Sequence, residues 1–341
     1  MSNQLTLLLI YISLLFGQSG FAISSENPFK IPFLPKQELT DEDFVEVQRL
    51  LKTINIHPTL HQNWKENECH HYSRFWRRCS RGLRQELINP GKGFYPKQEL
   101  IKIGEGGDRC IVCCAPYRVL EEDPGTRARF LEGIAEALTK TGFHGYFLSL
   151  VGGFPNPTGK EICYAGIPYC FKIFMMLEAY KLGFNNVLWI DSACLPLHDP
   201  TPLFNEIQKK ETLLYLNPPS PDFKKYIFEN TRKLLKQMTG VNVLQTNCVA
   251  TMVFGLKMDS EKVQQLIEEY YALVDMGLPF LSCYPEEFVL SALIGKPEFR
   301  HWTQSAYKNH LFFKAPPKIP DSDATIQNAK NAGYFFYQKK H

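Results

Sequence analysis

Three short apolar runs constrain this chain most: CIVCCA at 110–115, GYFLSLVGG at 145–153 and NVLWI at 186–190. Each is too short for a typical helix and none alternates polar with apolar residues. Each therefore reads as a strand covered on both faces, as in a parallel sheet. The segments between them carry helical spacing. Phe130, Leu131, Ile134, Ala137 and Leu138 share a face of 125–141, and Phe171, Phe174, Met175, Leu177 and Leu182 share a face of 168–183, which stops at Gly183. Strand, helix, strand, helix, strand at these lengths is the pattern of βαβ units. The expected fold class is α/β, in three α/β/α layers with a mainly parallel central sheet.

The rest of the chain extends this core. TLLYLN (212–217) and CVATMVFGLK (248–257) read as further strands, and 222–238, 259–277 and 285–294 as helices. Ahead of the core, residues 23–39 are proline-rich and read as an extended lead-in, and residues 40–105 as a small helical, arginine-rich region. Residues 40–54 open that region with Thr40 before Asp-Glu-Asp, acids placed where a helix start favours them. Arg74, Arg77, Arg78, Arg81 and Arg84 recur at intervals that put them on one side of a helix. That face suits solvent or acidic partners, an anionic acceptor, a lipid headgroup or a nucleic-acid backbone. Residues 313–341 read as an aromatic C-terminal tail.

Residues 5–17, LTLLLIYISLLFG, are almost wholly apolar and are followed by Gly20-Phe21-Ala22, small residues where a signal peptidase reads. The run falls short of the roughly 20 apolar residues that span a bilayer. Residues 1–22 are thus expected to be a signal peptide, with an N-terminal anchor as the alternative. Either exports the chain to a secreted, periplasmic or lumenal setting, and the anchor would associate it with a membrane. All ten cysteines lie beyond Ala22, and an even count in an exported chain permits disulfides. Cys69 with Cys79 and Cys163 with Cys170 are the expected loop pairs. Cys110, Cys113, Cys114 and Cys194 sit in apolar runs, where a thiol packs as a small hydrophobe. The net charge of +3 gives no reason to expect a nucleic-acid partner.

Ligands of open α/β sheets sit beyond the carboxyl ends of the strands. Asp191 directly follows the apolar run 186–190, and Ala115-Pro116-Tyr117-Arg118 stands at the same edge of the first strand. The stretch YCFKIFMMLEAYKLGFNNVLWIDSACLPLHDPTPLF (169–204) resembles the middle of GT-A-type nucleotide-sugar glycosyltransferases. There a helix bearing a basic residue leads into an apolar strand that ends in a DXD motif. The order of elements from Cys110 to about His301 is similar too, so residues 106–312 are expected to form a GT-A-like α/β domain.

The resemblance implies a glycosyltransferase of the hexosyltransferase class, moving a sugar from a nucleoside-diphosphate donor to a hydroxyl of a glycan, lipid or protein. Asp191 matches the first acid of the DXD motif, followed here by Ser192 and Ala193. Ala115, Pro116, Tyr117 and Arg118 match the loop that receives the nucleoside. Lys172 matches the basic helix residue that contacts pyrophosphate or donor sugar. TNCVATMVFGL (246–256) is similar to the strand that approaches the donor. Glu286 or Glu287, at a proline-started helix, matches the acid or amide near the acceptor, and serves as base or as helix-start charge.

Ala193 removes the usual second acid, so this DXD motif is degenerate. A hard divalent cation wants several oxygens. Mg²⁺ or Mn²⁺ would need Asp191 joined by His301, or by His198 or Asp199. Otherwise the site works with Lys172 and Arg118 alone, or the fold is a catalytically inactive nucleotide-sugar or glycan binder.

Other motifs are excluded. GGFPNPTGKE (152–161) lacks the first glycine of a phosphate loop and has Glu161 where Ser or Thr must stand. GEGG (104–107) precedes its strand instead of following it. CHHYSRFWRRC (69–79) matches no structural zinc spacing, and no Gly-X-Ser-X-Gly nucleophile motif is present.

Overall fold

The computed structural model describes residues 97–339, apart from 116–125, 152–153, 160, 165–166, 168, 281, 283 and 317. The expected signal segment, lead-in and arginine-rich stretch lie outside the described residues, as do Pro116, Tyr117 and Arg118. Among the described residues no helix is long and apolar enough to cross a membrane.

The elements in order are β1 (Lys97–Ile103), β2 (Arg109–Ala115), α1 (Thr126–Lys140), β3 (Gly145–Val151), α2 (Phe171–Lys181), β4 (Asn186–Ile190) and β5 (Cys194–Pro196). Then come α3 (Thr201–Lys210), β6 (Thr212–Leu213), β7 (Leu216–Asn217), α4 (Glu229–Thr239), β8 (Cys248–Val249), β9 (Val253–Lys257) and α5 (Glu261–Met276). The chain ends with α6 (Pro285–Ile294), α7 (Arg300–Gln304), β10 (Phe312–Lys314), α8 (Asp323–Asn331) and β11 (Phe336–Gln338). The central sheet has the order β1-β3-β2-β4-β9-β6. β3, β2 and β4 run parallel, while β1 and β9 are antiparallel to their neighbours. Four of the six strands therefore point one way, and the sheet is mainly parallel.

Helices cover both faces. On one, Leu131, Ile134 and Leu138 of α1 and Leu203, Phe204 and Ile207 of α3 pack with Ile111, Cys113, Phe147, Leu188, Ile190 and Val253. On the other, α2 lies over β2 and β4, its Phe171 ring 5.9 Å from Trp189. Burial of each of Phe171, Phe174 and Met175 contributes roughly 1.5–3 kcal/mol. Two charged residues are nonetheless buried on α2, Lys172 and Glu178. Glu178 accepts the backbone N–H of Asn156 at 2.9 Å and so anchors a loop. Lys172 belongs to the site described below.

The structure departs from the sequence reading in five places. Residues 97–103, expected at the end of the helical region, form β1, an edge strand of the main sheet. The segment 248–257 is two strands, because the chain turns at 250–252: β8 pairs with β7, and β9 lies in the main sheet. The segment 212–217 divides in the same way into β6 and β7. The C-terminal tail folds into β10, α8 and β11, and its two strands join β5 in a second sheet, so that Phe336 reaches the main core and Tyr337 is fully buried. Cys170 is a buried thiol directed at the Ile167 carbonyl, Sγ–O 3.2 Å, where a loop disulfide with Cys163 was expected.

Candidate active site at the carboxyl edge of the sheet

Parallel pairing of β2 with β4, with Val112 beside Trp189, brings Ala115 and Asp191 to the same rim. Asp191 sits just past β4, its backbone N–H bonded to the Met252 carbonyl at 2.8 Å. Its side chain is partly exposed, and Oδ1 accepts the Trp189 indole N–H at 2.9 Å. The same oxygen lies 2.9 Å from Lys172 Nζ. Glu286 Oε1 is 2.7 Å from that Nζ on another side. The Thr251 carbonyl and hydroxyl accept from Nζ at 3.1 and 3.2 Å, and the Thr251 hydroxyl donates to Glu286 at 2.8 Å.

An ammonium has three protons, and here four oxygens surround it. Burial alone would lower the Lys172 pKa; the Asp191 and Glu286 carboxylates outweigh it and hold the group above its ordinary value. The rings of Trp189 and Tyr169 lie 5.5 and 5.7 Å from Nζ. Tyr169 adopts φ +60, a left-handed backbone that is uncommon outside glycine.

Lys172 therefore faces protein oxygens. Its side chain is 3% exposed and all its protons are committed. The residue expected at pyrophosphate or donor sugar thus stands between two carboxylates in this structure.

The two glutamates expected near the acceptor are separated by their surroundings. Both occupy the first turn of α6, which begins at Pro285. Glu286 is buried in the lysine cluster. Glu287 is half-buried and lines a cleft of about 660 Å³. Burial pushes its carboxyl up to about 8, the charge of Glu286 adds to that, and Lys172 opposes it. Its Oε1 stands 3.5 Å from the Thr251 N–H.

The cleft walls are largely aromatic. Tyr215 packs edge-on to Phe312, Tyr226 to Tyr284 and Phe313 to Tyr334, each pair at 5.3 Å between ring centres. Asn217, Ser220 and Lys314 add polar groups, and Ala250 and Met252 connect the cleft to the turn that carries Thr251. Cys248 is also in the wall, but burial raises its thiol to about 12, with the Glu287 charge adding, so it offers no thiolate at neutral pH.

The remaining expected residues fall as follows. Ala115 is buried in the core below the rim. Ser192 is half-buried in the turn after Asp191. Ala193 is 2% exposed, and its carbonyl accepts the Lys339 N–H at 2.8 Å, so an acid there would point into packed protein. His301 pairs with Glu211 at 3.7 Å. The Glu211 carbonyl accepts from Lys257, which pairs with Asn186 at the start of β4. Five residues of strand, about 16 Å, separate that end from Asp191, so His301 and Asp191 are not brought together.

Asp199 caps its own turn, accepting from the Thr201 backbone at 3.0 Å and hydroxyl at 2.8 Å. His198 is engaged with the Lys330 carbonyl at 2.8 Å. Among the described residues no group of three His, Cys, Asp or Glu side chains is arranged to hold a metal ion. With an ammonium already seated between Asp191 and Glu286, these residues do not fit a divalent metal.

Thr251, Trp189 and the aromatic wall from the C-terminal segment escaped the sequence reading. Thr251 lay inside the segment flagged as approaching a donor, and Trp189 directly before Asp191, but nothing in their spacing marked them individually.

No protein-family model matches the sequence, and no curated protein matches it. Solved structures to which the chain is similar include two glycosyltransferases. One is the galactosyltransferase LgtC in complex with donor and acceptor sugar analogues, at 12% identity and TM-score 0.37, covering 68% of this chain and 87% of that one. The other is apo mouse xyloside xylosyltransferase 1, at 10% identity and TM-score 0.28, covering 63% of this chain and 73% of that one.

Proposed function

We propose that this chain transfers a sugar from a nucleoside-diphosphate donor to a hydroxyl acceptor, with Glu287 as the base. The observation that carries the reading is the position of Glu287. It is a half-buried acid in an aromatic cleft, with a proton affinity raised to about 8, beside a carboxylate cluster at the carboxyl edge of the sheet. A base works best when its pKa lies near the working pH. Aromatic rings suit the apolar face of a sugar, and the polar groups among them suit its hydroxyls.

In the proposed reaction the donor lies at the rim beside Asp191, Ser192 and the end of β2 at Ala115. Glu287 takes the proton of the acceptor hydroxyl as its oxygen attacks the anomeric carbon. The bond from that carbon to the diphosphate breaks, and the diphosphate leaves with the electron pair. The departing charge needs a cation. Lys172 is committed to Asp191 and Glu286, so that task is assigned to Arg118. Delivery to a compartment containing nucleotide sugars, through the apolar N-terminal segment, belongs to the same proposal.

A second reading, a binder without turnover, is favoured by one observation: Asp191 Oδ1 is already engaged by both Lys172 and Trp189. Release of nucleoside diphosphate from a panel of nucleotide sugars, with and without hydroxyl acceptors, separates the two. Acceptor-dependent release that falls sharply in Glu287→Gln supports the transferase. Saturable UDP or GDP binding with no release selects the binder.

A further inference from the structure

We propose that the Lys172 ammonium is the resident cation of this site, standing between Asp191 and Glu286 where a divalent ion would otherwise bridge them. This deepens the reading above, and rests on it for the assignment of the rim as functional. Nζ lies 2.9 and 2.7 Å from the two carboxylate oxygens, whereas Mg²⁺ or Ca²⁺ holds oxygens at about 2.0–2.6 Å. An ion shared by those same oxygens would have to occupy the volume the ammonium fills. A water-filled gap between the carboxylates would leave room for exchange, but the lysine side chain is 3% exposed.

The ammonium is also fixed from behind. Thr251 supplies two more oxygens, and the rings of Trp189 and Tyr169 turn toward it. Thr251 sits in the turn where the chain crosses from β8 to β9, and Tyr169 in a left-handed turn just ahead of α2. Separate elements thus converge on one nitrogen. Charge completes the case: two carboxylates that would repel each other share one internal cation. Lys172 acts here as a positioning residue, holding Asp191 at the rim and Glu286 clear of Glu287.

The test counts ions directly. Purified wild-type protein, Lys172→Ala and Lys172→Arg are titrated with Mn²⁺, unbound ion is read by electron paramagnetic resonance, and melting temperature is followed in parallel. Wild type and Lys172→Arg are expected to show no stoichiometric site. Lys172→Ala is expected to bind one Mn²⁺ at least tenfold more tightly than wild type, and to gain melting temperature with Mn²⁺ when wild type does not. One Mn²⁺ bound by wild type and lost in Asp191→Asn would overturn the proposal, as would a folded Lys172→Ala that takes up no ion. If Lys172→Ala does not fold, Lys172→Gln replaces it. If neither folds, the wild-type and Asp191→Asn titrations decide. Binding of UDP and GDP is measured alongside, once in chelator and once with Mn²⁺: its complete absence in both would defeat the transferase reading while the ion count still judged the role of Lys172.

Discussion

Glu286 and Glu287 are neighbours on one helical turn, but their surroundings differ, and so do the roles proposed for them. Glu286 points into the lysine cluster, and Glu287 faces the cleft. The raised proton affinity of Glu287 has consequences for both rate and stability. As a base it acts ionised, so the transfer rate should climb with pH through about 8 and then level off. Stability moves the other way. The folded chain keeps this proton up to about pH 8, while an unfolded chain releases it near 4.5. The folded state therefore binds more protons between those values, and stability contributed by this group falls as pH rises across that window. Glu287→Gln should remove that slope, so denaturant melts at pH 5 and pH 9 should differ less in the variant than in wild type. At Lys172, truncation to Ala leaves Glu286 buried without its partner. A loss of about 3–5 kcal/mol in urea unfolding is expected, and a loss below about 1 kcal/mol, the worth of an exposed pair, would show that the cluster is not buried in solution.

The elements explain what the sequence could and could not reveal. β2, β3 and β4 were legible because a strand covered on both faces must be apolar throughout, and their runs are. β1, KQELIKI, was not, because an edge strand keeps charged residues that discourage further pairing. The breaks inside 212–217 and 248–257 were invisible for a different reason: the residues are apolar on both sides of each turn, and only tertiary pairing shows where the chain changes sheets. Asp191 was legible from the end of its strand. The cleft was not, since its wall unites α6, the 250–252 turn and the C-terminal segment across long separations. Two substitutions test these elements. Tyr334→Ala removes an aromatic from the wall, and the acceptor KM is expected to rise about tenfold with kcat little changed, a loss of about 1.4 kcal/mol in binding. Ser260 caps α5, accepting from the Val263 N–H at 3.4 Å and donating to Glu211 at 2.7 Å. Ser260→Ala should cost about 1 kcal/mol of stability and leave transfer unchanged, since Glu211 stands at the opposite end of the sheet from Asp191.

At the scale of the molecule, one sheet edge gathers the residues of the proposed site. Parallel pairing delivers the ends of β2 and β4 to a common rim. α2 sends a buried lysine there from one face, α6 contributes two acids, and the C-terminal segment closes the cleft around one of them. The assembly separates a fixed part, Asp191–Lys172–Glu286–Thr251, from a working part, Glu287 and the aromatic walls. That division is the central claim. Its most direct measurement is the pH profile of sugar transfer, as kcat/KM from a nucleotide-sugar donor, in wild type and Glu287→Gln. The expected result is a wild-type rate that rises through about pH 8 and a variant slower by about 10²–10⁴-fold with the rise abolished. A Glu287→Gln protein that transfers sugar at the wild-type rate, with the same dependence on pH, would contradict it.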